Sequence, residues 1–107
     1  MSNDIITVTV TVENIAQAQI LSRINTTAGL LRGSLEQIEA EARQMREALE
    51  SGRPGMSGFG SPQRNAAEYR TLLQAYCEAA GSVGLTDEQV TPALMNDYIA
   101  INRLDKD

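Results

Sequence analysis

The chain has 107 residues, no histidine, a net charge of -5 and a composition 42% hydrophobic but only 4% aromatic. That suits one small domain, residues 1–107, and argues against binding a nucleic-acid backbone. Without histidine the commonest metal ligand and general base are missing, the lone Cys77 rules out an internal disulfide, and no apolar run approaches the roughly 18 residues of a membrane span.

Residues 1–13 form the first segment, a strand arm. Ile5 to Val12 reads Ile-Ile-Thr-Val-Thr-Val-Thr-Val, with Ile6, Val8, Val10 and Val12 on one face and Ile5, Thr7, Thr9 and Thr11 on the other. β-Branched residues at period two predict a strand. The run is short, alternates with threonine and follows no basic residue, so it does not resemble a secretory leader, and a cytoplasmic protein is expected. No second strand stands out downstream. A lone strand leaves its backbone groups unpaired, so the arm is expected to pair with another chain, either a copy of itself or a foreign sheet edge. The alternative is an extended arm lying on the protein's own helices.

Asn14 predicts a helix N-cap, with Gln17 three residues on in the capping-box position. From Leu21 an apolar residue follows at alternating steps of three and four: Ile24, Ala28, Leu31, Leu35, Ile38, Ala42, Met45, Leu49. Such a seam, close to a 3.5-residue repeat, calls for another helix against it, as in a coiled coil. It predicts one long helix over about 14–50. Asn25, Thr26, Thr27, Gly29 and Gly33 weaken it, but the register crosses them without a phase jump. Charge pairs four apart, Glu39 with Arg43 and Arg46 with Glu50, support its second half.

Residues 51–61 are a glycine-rich loop. Gly52 ends the long helix in the left-handed conformation. One reading of the loop makes Met56 and Phe59 apolar anchors for a partner. The alternatives are a plain connector, or an anion held by the backbone of Gly58 and Gly60 with the charges of Arg53 and Arg64. The loop follows a helix and lacks the lysine of a phosphate-binding loop, which weakens the anion reading. Ser61 with Pro62 opens a second helix over 62–80, closed by Gly81. Segment 14–80 is then an antiparallel helical hairpin. Within 81–107, Thr86 to Gln89 is a capping box, and Leu94, Met95, Tyr98, Ile99, Ile101 and Leu104 predict a short C-terminal helix over 92–104.

The second helix is roughly half the length of the first and reaches only about Leu31 to Leu49. Leu21, Ile24 and Ala28 need other cover, from the C-terminal helix, a second copy, or both. The fold expected is therefore mainly α with a strand arm. The function expected is a non-enzymatic assembly or interaction subunit, a homo-oligomer with at least one protein partner. Its interface residues are Ile6, Val8, Val10, Val12, Leu21, Ile24, Leu31, Met56 and Phe59. No catalytic, metal or cofactor set stands out. Two further readings stay open: an acidic regulator that docks one basic target through Glu36, Glu47, Asp87 and Glu88, and a binder of a small anion such as a nucleotide.

Overall fold

The computed structural model describes residues 7–52 and 62–105. It contains β1 (Thr7–Val12), α1 (Ile15–Glu50), α2 (Pro62–Ser82), α3 (Asp87–Leu94) and β2 (Tyr98–Arg103). The chain is mainly helical, and no helix among the described residues is long and apolar enough to cross a membrane.

Local rules set the helix ends. Asn14, in extended conformation, accepts from the Gln17 amide at 3.0 Å, and α1 then runs 36 residues without a break. At about 1.5 Å per residue it spans roughly 54 Å. Gly52 follows it at a φ of 72°. α2 passes through Gly81, the expected closing residue, and ends one residue later, at Ser82. Gly84, at a φ of 87°, donates to the Gly81 carbonyl, and Leu85 donates to that of Ala80 at 2.9 Å. This paired closure needs a left-handed residue, which glycine adopts without strain. Thr86 and Gln89 form the expected reciprocal capping box, and Asp87 and Glu88 lie in the first turn of α3, where the helix dipole favours carboxylates.

The C-terminal segment departs from expectation. The helix expected over 92–104 does not form: α3 ends at Leu94, and residues 98–103 are a strand. Asn96, at a φ of 57°, ends α3 with the same two-bond closure that Gly84 gives α2, and Asp97 donates to the Pro92 carbonyl at 3.0 Å. Beyond it, Tyr-Ile-Ala-Ile-Asn-Arg alternates at period two, and Ile99, Ile101 and Arg103 are half-buried while the residues between them are exposed. β2 pairs parallel with β1 from Thr7↔Tyr98 to Val12↔Arg103. The arm thus finds its mate within its own chain, not in a neighbour. A strand so short leaves many donors unpaired when alone, and this decides the C-terminal conformation over a weak helical pattern.

The core sits where four elements meet. Val10 and Val12 of β1, Leu21 and Ile24 of α1, Ala80 of α2, Leu85, and Val90 and Ala93 of α3 form one buried cluster. Leu21 and Ile24 are 0% exposed. The cover they were expected to need comes from the chain itself. The unburied part of the seam is at the other end: Leu35 is 40% exposed, Met45 51% and Leu49 78%. Gln17, buried beside the cluster, is bonded at both ends of its amide: its Nε2 donates to the Val83 carbonyl at 2.7 Å and its Oε1 accepts from the Glu13 amide at 2.8 Å.

The two glycines of α1 differ in role. A Cβ on Gly29 would meet the Asn96 side chain at 3.0 Å, whereas one on Gly33 meets nothing within 4 Å. Gly33→Ala is expected to raise stability by about 0.5–1 kcal/mol, the helix-propensity difference. Gly29→Ala is expected to gain less, because Asn96 must shift. Urea denaturation midpoints of the two variants check the ordering.

Candidate functional site

A parallel pair is the less stable kind of strand pairing, and sheets built from it are normally covered on both faces. Here Thr7, Thr9 and Thr11 of β1 and Tyr98, Ala100 and Asn102 of β2 form an exposed outer face. The two strands are the whole sheet, so both edges are open among the described residues.

The register shows which groups point outward. Leu104 N–H donates to the Val12 carbonyl at 2.8 Å, so Val12 turns toward β2. In a parallel ladder alternate residues point their N–H and C=O to the same side. Val8 and Val10 therefore also face β2, and Thr7, Thr9 and Thr11 face outward. The side chain of Gln89 fits this geometry, since its Nε2 reaches across the open edge to the Thr11 carbonyl at 2.7 Å. Thr9 has no such cover among the described residues. α3 flanks this edge and leaves a cleft of about 230 Å³ lined by Val8 to Thr11 with Thr86, Glu88, Gln89 and Pro92. β1 carries neither charge nor proline, the usual guards against strand addition. The open edge of β2 includes Arg103.

At the start of the two strands lies a polar cavity of about 420 Å³ lined by Thr7, Asn25, Arg32, Asn96, Asp97, Tyr98 and Ile99. Its polar groups hold the α3–β2 turn. Asn25 Nδ2 donates to the Asp97 carbonyl at 2.9 Å, and an Arg32 terminal nitrogen donates to the Met95 carbonyl at 2.8 Å. Asn25, Gly29 and Arg32 lie on one stripe of α1, so the weak helix formers near Gly29 mark where the turn docks. No motif in the sequence revealed that clamp.

No protein-family model, curated protein or solved structure matches the chain.

The residues expected at an interface fall into three groups. Val10, Val12, Leu21 and Ile24 are core, because β2 and α3 close over them, so they are not a surface for a partner. Val8 and Leu31 are half-buried, Val8 at the edge cleft and Leu31 beside a second, apolar recess. Ile6, Met56 and Phe59 lie outside the described residues, as do Arg53, Gly58 and Gly60 of the anion reading; Arg64 is exposed in the first turn of α2. Cys77 is half-buried, and burial pushes its thiol up, which disfavours a reactive thiolate.

Proposed function

We propose that the chain is a non-enzymatic interaction subunit of the cytoplasm whose β1 edge receives an extended segment of a protein partner as a third strand. The observation that supports this reading is the outward-facing, unpartnered backbone of Thr9 on an uncharged edge beside the α3 cleft. Backbone bonds along the edge would supply affinity, and the cleft would select side chains at alternate positions. Pro92 and the alkyl part of Gln89 favour a small aliphatic residue, and Glu88 at the rim favours a basic one.

The test uses a labelled peptide, Arg-Val-Thr-Val-Thr-Val, followed by fluorescence anisotropy against the full chain and against Thr9→Pro. Proline on an edge strand is tolerated where its missing N–H faces solvent, so Thr9→Pro keeps the β1–β2 ladder. Saturable binding by the wild-type chain, lost in Thr9→Pro with circular dichroism unchanged, is the expected result. No saturable binding, or equal binding by the variant, refutes the reading.

A further inference from the structure

α1 has two contact sides. One faces α2 over the part of α1 that a 21-residue helix can span, with Ser34 buried and Ile38 half-buried toward it. The other side, about a quarter-turn round the helix, is covered by α3 and the sheet over the root of α1, where Leu21 and Ile24 are buried. That cover stops where α3 ends. Leu94, its last residue, lines an apolar recess of about 270 Å³ together with Leu31, Leu35 and Leu73. Past the recess nothing among the described residues covers the same side of α1. Its strip reads Leu35, Glu39, Ala42, Arg46, Leu49, with steps of four and three, and every member is exposed.

The strip is complementary to itself when reversed. Ala42 lies seven residues from both Leu35 and Leu49, and Glu39 and Arg46 flank it. A two-fold axis at Ala42 sets Leu35 against Leu49 of a second copy, alanine against alanine, and Glu39 beside Arg46 of that copy, offset by one residue or about 1.5 Å. By symmetry each of the unlike contacts forms twice, as in any isologous interface. Alanine at the crossing lets the backbones approach. The recess beside Leu35 receives Leu49 of the second copy, the more exposed of the two leucines. Within one chain neither Glu39 with Arg43 nor Arg46 with Glu50 closes into an ion pair, whereas Arg103 Nε lies 3.4 Å from Asp105. Among the described residues Glu39 and Arg46 therefore have no ion-pair partner.

We infer that the protein is a two-fold dimer formed by antiparallel packing of the Leu35–Leu49 strips of two copies. This does not rest on the strand-edge reading, because the strip and the β1 edge lie on different elements.

Light scattering on the full chain at micromolar concentration tests it, with circular dichroism to establish folding. The wild type is expected at twice the 11.6 kDa chain mass. Arg46→Glu and Glu39→Arg each turn both symmetric attractions into repulsions. Each alone is expected to weaken the dimer by about tenfold or more while staying folded, since both residues are exposed. An equimolar mixture of the two variants restores opposite charges at every contact and is expected to return the dimer mass. Thr9→Pro is expected to leave the dimer intact, which separates failure of this interface from failure of the strand edge. A monomeric wild type, a dimer indifferent to both reversals, or a mixture that stays monomeric overturns the inference.

Discussion

Ile24→Ala is expected to destabilise the chain by about 2–5 kcal/mol, a large share of the roughly 5–15 kcal/mol that holds a small domain together. Ile24 is wholly buried where β1, α1, α2 and α3 converge. Its loss removes apolar burial and leaves a cavity lined by residues of several elements, which no single shift can close. Leu49→Ala, at the tip of the same apolar series, removes a side chain already 78% exposed. Its effect on the stability of one chain is expected to stay within about 0.5 kcal/mol. Urea unfolding followed by circular dichroism, at a concentration where only monomer is present, checks both. Equal losses at the two positions would mean that burial along α1 is uniform, contrary to the packing described above.

Val10→Pro is expected to be as damaging, for a different reason. Val10 turns its N–H toward β2, and the register places the Ala100 carbonyl to receive it. Proline has no N–H to give and leaves that carbonyl unpaired, at a cost of about 1–3 kcal/mol. The change also removes a core valine that is only 5% exposed. A two-stranded sheet has no spare ladder to absorb the loss. The total is expected to be on the order of 3 kcal/mol, or a fall in melting temperature of at least about 12 °C for a domain of this size. Thr9→Pro, one residue away, is expected to melt close to wild type, because its N–H faces outward. Thermal melts of the pair read the strand's polarity directly. If Thr9→Pro melted early and Val10→Pro did not, the assignment of the open edge would be reversed.

Much of the helical frame was legible from short-range chemistry. Asn14 with Gln17, Thr86 with Gln89, and Gly52 mark ends that the structure keeps, and the unbroken step of three and four carried α1 through Gly29 and Gly33. These signals act within one or two turns, where the side chain that caps a backbone group lies beside it in sequence. The open edge of β1 was partly legible. The Thr-Val alternation announced a strand with no charge on it, but which of its residues face outward depends on a register set by β2.

Two things escaped for one reason. Tyr98 to Arg103 has a weak pattern, with Ala100 and Asn102 at poor strand positions, and it becomes a strand because β1, more than 80 residues earlier, offers it a ladder. Leu21 and Leu49 look equivalent in the apolar series, yet one is sealed and the other bare, because α3 and the sheet close over the root of α1 and end at Leu94. The sequence alone determined where α1 begins and stops and that β1 had to be paired. Only the tertiary structure decided with what, and which part of the α1 seam stays uncovered. Caps and periodicity are local properties of the chain, whereas pairing and burial belong to segments that meet in space.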